Sequence, residues 1–211
     1  MKVALVVLAL ISLGCAAPQP RKVFHEHFED FVDVIVEEVG DELMHLTGHY
    51  LEYDDFWVAF NYLKSESFRN LVDEFESLPE FAAVVEFLEN DNIDIRFFID
   101  MFHEFIDELE SMSRPVARHA TSGTNFSAYI NDVIATFPKA KLAALYDEKM
   151  ANDEEFRVAM ENLLSPEWDA VLEALWTSDV FQAEIKTLAE YGIDASVLYL
   201  EILAIFGQNR M

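Results

Sequence analysis

The stretch DFWVAFNYLKSESFRNLVDEFESLPEFAAVVEFLENDNID, residues 55–94, returns 100 residues later without a gap as EFRVAMENLLSPEWDAVLEALWTSDVFQAEIKTLAEYGID, residues 155–194. Phe56, Val58, Ala59, Leu63, Ser65, Phe81, Ala83, Leu88, Ile93 and Asp94 recur as Phe156, Val158, Ala159, Leu163, Ser165, Phe181, Ala183, Leu188, Ile193 and Asp194. Most other pairs keep their class, such as Phe68 with Trp168 and Val85 with Ile185. This is an internal duplication. Two similar units, each with an apolar face, can close on each other around a shared interior.

Apolar residues recur at helical spacing along nearly the whole chain. Phe24, Phe28, Phe31, Ile35 and Val39 form one stripe, and Gly40 stands where a helix C-cap would. A second helix is predicted over 41–50 and a third over 54–64, with Phe56, Phe60 and Leu63 inward. Ser65 is placed to cap a fourth, carrying Phe68, Leu71, Val72 and Phe75; its counterpart Ser165 precedes Pro166, a favoured first helical residue. A fifth begins near Pro79, and a sixth runs from near Asp94 to about Glu110. In the second half, helices are predicted to begin near Asn125, Pro138, Asp153, Pro166, Asp179 and Asp194. No run alternates with period two. The expected fold is all-α: two tandem repeats of about five to six short helices, over 24–111 and 125–207. The segment 112–124 between them is polar, holds Pro115 and Gly123, and reads as a linker that trypsin would cut first at Arg114 or Arg118. The last helix of each half, Phe97 to Ile106 and Val197 to Phe206, is apolar over most of its circumference, so both are expected at the centre.

Met1 and Lys2, the apolar run 3–13 and the small residues 14–17 read as a secretory signal cleaved after Ala17, too short for a membrane span. Ser12-Leu13-Gly14-Cys15 has Ser where a lipoprotein box carries Leu, so lipidation is not expected. Cys15 is the sole cysteine and leaves with the signal; the exported chain would hold no disulfide and rely on packing. The net charge of −26, or −27 once Lys2 is gone, argues against a nucleic-acid partner. A hydrophobic content of 52% with 18 Phe favours a packed interior under an acidic shell over disorder.

His45 and His49, four residues apart, with Glu42 three before His45, have the spacing of helix-borne metal ligands. The second half has no histidine after His119, which excludes a symmetric two-metal site, and no metal is expected. His25 and His27 are expected at the surface. The chain lacks a G-x-S-x-G elbow, and with 6 Gly it has no phosphate loop. No catalytic residues are expected. Asn125-Phe-Ser127 is a glycosylation sequon. The Phe stripes admit two interiors. Such stripes usually mark solid packing, yet the same residues would line a ligand cavity, and residue types alone do not separate the two.

The duplicated unit, the phrase Ser-Leu-Pro-Glu-Phe at 77–81, and Leu-x4-Ile-Asp at 88–94 and 188–194 resemble the insect allergen-repeat proteins. That family includes major cockroach allergens, blood-meal-induced mosquito midgut microvilli proteins and butterfly-larva nitrile-specifier proteins. A single repeat pair behind a signal is most similar to the mosquito members. The resemblance covers about 24–207. It implies a helical capsule, closed jointly by the repeats, with a large apolar cavity that holds fatty-acid or phospholipid acyl chains. Its implied walls are Phe56, Phe60, Phe75, Phe81, Phe98, Phe102, Phe156, Leu172, Phe181, Leu198 and Ile202. Dehydration would hold an acyl chain at roughly 0.8 kcal/mol per buried CH₂. Head groups are expected near Lys64, Arg69 or Arg96. The expected function is a secreted, monomeric lipid binder of the insect gut lumen or microvillar surface. It would need no cofactor, exchange acyl chains with membranes or food lipid through transient membrane contact, and be capable of lysis. A nitrile-specifier-like enzyme and a ligand-free structural microvillar protein are the rival expectations. Asn92 stands where the second half has Gly192, which leaves the local turn open.

Overall fold

The computed structural model describes residues 23–110 and 125–207. The expected signal over 1–17, Cys15, and the linker over 112–124 with Arg114 and Arg118 lie outside the described residues. The fold is all-α, with eleven helices among the described residues: α1 (Phe24–Tyr50), α2 (Asp54–Leu63), α3 (Glu66–Glu76), α4 (Pro79–Asn90), α5 (Ile95–Glu110), α6 (Phe126–Thr136), α7 (Lys139–Asn152), α8 (Glu154–Asn162), α9 (Pro166–Trp176), α10 (Asp179–Glu190) and α11 (Ala195–Ile205).

The duplication is visible in the helix bounds, since α3 and α9, and α4 and α10, start and stop 100 residues apart. Their caps repeat as well. The Ser65 hydroxyl accepts from the Phe68 N–H and the Ser165 hydroxyl from the Trp168 N–H, each satisfying an otherwise unpaired first-turn donor. Asn92 and Gly192 both adopt the left-handed backbone, with φ of 58° and 78°. Asn is among the few residues besides Gly that tolerate that conformation, so the substitution leaves the turn unchanged.

The halves differ at their first helix. The expected break at Gly40 does not occur, and α1 runs on for 27 residues. Gly40 sits within the helix, and the buried face continues past it through Leu43, Thr47 and Tyr50. In the second half the same span is split into α6 and α7 at Phe137-Pro138. The reason lies one position in 100 away: Pro138 stands where the first half has Glu38. Proline lacks the N–H that continues a helix and pushes the preceding residue toward extended backbone. Phe137 accordingly has ψ of 140°.

α1 and α6 form the centre. Phe31, Val32 and Ile35 of α1 and Val133 of α6 are fully buried. α1 packs on α6 and α7, and α6 also receives α2 and α11. Between the halves the packing is reciprocal: α3 of the first half lies on α10 of the second, and α9 of the second on α4 of the first. Phe75 meets Phe181 at 5.4 Å and Phe87 meets Trp168 at 5.1 Å across these seams. Each such ring adds roughly 1.5–3 kcal/mol of apolar burial.

Two sequence expectations are corrected. The final helices are not central. On α11, Tyr199 and Leu200 are exposed, and on α5, up to Asp107, Ile106 alone among the large apolar side chains is buried. An apolar circumference here serves a helix that packs on few neighbours and borders a cavity. His27 is not at the surface either, and His25 is half-buried. Because α1 starts at Phe24, position 27 falls on its inward face, and His27 is 3% exposed. Lys149 of α7 donates to its Nδ1 at 3.1 Å and also pairs with Asp30, tying α1 to α7. The His25 ring is bonded to Asp94 and stacks on Phe97 at 4.0 Å.

Candidate functional site

An apolar cavity of about 560 Å³ lies between the halves. Its walls come from α2, α3, α4 and α5 of the first half and α6, α10 and α11 of the second. Amphipathic spacing explains the convergence. Phe56, Phe60 and Leu63 share one face of α2, and Phe68, Leu71, Val72 and Phe75 one face of α3. The rings brace one another: Phe75 and Phe81 are 4.4 Å apart, Phe56 and Phe60 5.9 Å, and Phe68 and Phe102 6.3 Å. Mutually packed rings on crossed helices resist collapse, since moving one forces its neighbours out of their rotamers.

Of the residues expected in the walls, Phe56, Phe60, Phe75, Phe81, Phe98, Phe102, Phe181, Leu198 and Ile202 border this cavity. Phe156 and Leu172 do not. Phe156 belongs to a separate ring cluster under α1, with Phe24 at 6.2 Å, Phe31 at 6.1 Å and the His27 ring at 5.1 Å. The uninterrupted α1 supplies those rings, so the space beside Phe156 does not mirror that beside Phe56. Leu172 is half-buried on α9, which gives the cavity no residue.

The expected cations are also elsewhere. Arg69 pairs with Asp107 at 2.9 Å, Arg96 pairs with Glu89, and Lys64 caps the end of α2; none of the three borders the cavity. The charged groups that do are acids: Glu76, Glu184 and Glu201. Glu76 accepts from His103 at 2.8 Å. Glu184 is 6% exposed, and its Oε1 has no hydrogen-bond partner. Burial, with the nearby Glu74 charge second, pushes its carboxyl up to about 7. Burial alone does the same to Glu201. The phenol of Tyr129, also in the wall, contacts Thr47 Oγ1 at 2.8 Å. By residue type alone these acids are three among 40 and carry no signal. The duplication held the signal: Glu184 and Glu201 stand where the first half has Val84 and Met101, acids in an apolar register.

A second, outer cleft of about 540 Å³ lies between α3 and α10, lined by Tyr62, Ser67, Asn70, Glu74, Thr187 and Tyr191 among others. Leu71 and Glu184 border both spaces, so they form part of the wall between them.

His45 and His49 are exposed, and His49 Nε2 is engaged by the Tyr53 hydroxyl at 2.7 Å. Among the described residues no three His, Cys, Asp or Glu side chains gather as a metal site would require. Asn125 is exposed and caps α6 by accepting from the Ala128 N–H at 2.9 Å. No helix among the described residues is long and apolar enough to cross a membrane.

Residues 23–199 match the family described as insect allergen related repeat, nitrile-specifier detoxification. The chain is also similar to Protein G12 of Anopheles gambiae, 24% identical over 216 residues that cover 99% of this chain and 100% of that protein. The duplication, the reciprocal packing of its halves and the match across both of them lead to one conclusion: the chain belongs to the insect allergen related repeat family.

Proposed function

We propose that this protein is a lipid carrier whose cavity holds the acyl chains of fatty acids or phospholipids. The observation that carries the reading is an apolar space of about 560 Å³ between the halves, inside the roughly 300–1,000 Å³ range of small-molecule sites. The lining is almost wholly apolar, so water in this space finds few polar partners and an apolar occupant is favoured. An acyl chain restores the missing contacts and gains roughly 0.8 kcal/mol for every CH₂ it removes from water. The apolar lining favours reversible, non-covalent binding and exchange. The setting that fits the family is secretion into the insect gut lumen or onto the microvillar surface, with brief membrane contact during exchange.

Ligand binding to the folded state alone raises stability by mass action. Stripping the purified protein of lipid is expected to lower its melting temperature, and adding a long-chain lipid to restore it. Identical melting of stripped and loaded protein across chain lengths would overturn the carrier reading.

A further inference from the structure

The cavity has a polarity of its own. Among the described residues its charged wall groups are three carboxyls, and Glu184 stands out among them: nine-tenths buried, one oxygen without a partner, set in the wall between the apolar cavity and the polar outer cleft. A buried acceptor without a donor is costly in a folded protein and is relieved by a ligand that donates to it. We propose that the cavity discriminates amphiphiles by head group, preferring those whose head donates hydrogen bonds, hydroxyl- or amine-headed lipids, with Glu184 as the acceptor, over fatty acids whose carboxyl is ionised. The proposal rests on the carrier reading and names the ligand class within it.

The surroundings of Glu184 strengthen the preference. Glu74 of α3 lies close enough to raise its proton affinity, Tyr62 of α2 senses its charge, and Glu76 of α3 is engaged by His103 of α5. From α11 the cavity receives Glu201, whose charge is felt by Tyr129 of α6. α9, which also packs on α10, gives the cavity no residue. An ionised carboxylate head placed beside Glu184 or Glu201 therefore meets like charge. A hydroxyl or ammonium head finds an acceptor, with Ser67, Asn70 and Thr187 of the outer cleft beyond it. Like-charge apposition is one form of rejection open to such a site, and it strengthens as the groups are buried. Protonation of Glu184 removes the rejection, since a neutral carboxyl can pair with either head, so fatty acids gain access as the pH falls below about 7.

The test is displacement of the neutral fluorescent probe N-phenyl-1-naphthylamine from delipidated protein by tetradecanol, tetradecylamine and myristate, in raised salt, near pH 8.5 and near pH 5.5. At the higher pH the alcohol and amine are expected to displace the probe at least about tenfold more effectively than myristate, and the gap to close at the lower pH. Glu184→Gln should narrow it by several-fold at the higher pH, with Glu76 and Glu201 left in the wall. The amide donates to a carboxylate, and the change removes one charge from a chain carrying −26, so general surface repulsion stays nearly constant. Equal displacement by all three ligands at the higher pH overturns the selection, as does a gap that Glu184→Gln leaves unchanged. A probe that never binds, or that no ligand displaces, overturns the carrier reading itself and the selection with it.

Discussion

Glu184 and Glu201 make a stability prediction whose sign differs from that of most acidic residues. Each carboxyl is pushed from 4.5 to about 7, by burial first. The folded state thus holds the proton more tightly than the unfolded state does. Stability is full below the unfolded value of 4.5, falls as the pH rises through the window, and levels off above about 7. An offset of that size corresponds to roughly 3 kcal/mol per site. Glu184 borders an outer cleft and Glu201 a cavity, and water reaching either reduces the figure, so about 2 kcal/mol per site is expected. Glu184→Gln and Glu201→Gln should each therefore stabilise delipidated protein by about 2 kcal/mol near pH 8, about 4–8 °C in Tm. Near pH 4.5 the gain should shrink below about 0.5 kcal/mol. Thermal melts followed by circular dichroism at the two pH values measure both quantities. A gain equal at both, or a loss confined to the higher pH, would show these carboxylates to be paired in the folded protein and refute the reasoning.

Four further outcomes are expected. Gly207→Ala should destabilise by about 2 kcal/mol or more in chemical denaturation, because φ is +68° and a Cβ would lie 2.7 Å from the Ala143 backbone nitrogen. Lys149→Met should lower Tm by several degrees, removing the pairing with Asp30 and the donor to His27 that joins α1 to α7; an unchanged Tm would show that the apolar contacts alone hold this junction. Leu198→Trp places an indole ring in the cavity wall and should shorten the longest alkyl ligand bound while leaving the helical spectrum intact. Dye should leak from neutral vesicles exposed to stripped protein, and raised salt should not abolish it, because apolar burial is the driving term; leakage that vanishes in salt would indicate electrostatic attack instead.

The duplication made the helix order legible, because Ser65 and Ser165, Pro79 and Asp179, and Asp94 and Asp194 mark the same starts in both halves. The long α1 was not, although Pro138 opposite Glu38 carried the information: the Gly40 reading gave weight to a residue that weakens a helix over one that forbids its continuation. His27 was misplaced because its identity suggested solvent, while its position, three after Phe24 and four before Phe31, put it on the buried face. Phe156 was placed by symmetry with Phe56, and the unequal first helices break that symmetry. The cavity itself leaves no mark on residue types. A Phe facing another Phe and a Phe facing a void have the same neighbours in sequence; the difference lies in whether crossed helices approach closely enough for the rings to meet.

The central claim is that acyl lipid occupies the space between the halves. Purified full-length protein, never exposed to detergent, can be extracted with organic solvent and the extract quantified by mass spectrometry, with a similarly prepared helical protein of solid core as control. The account predicts long-chain acyl lipid at about one or more molecules per chain, its head groups rich in hydroxyl or amine donors. An extract that matches the control, from protein that is folded and retains its cooperative melt, would contradict it.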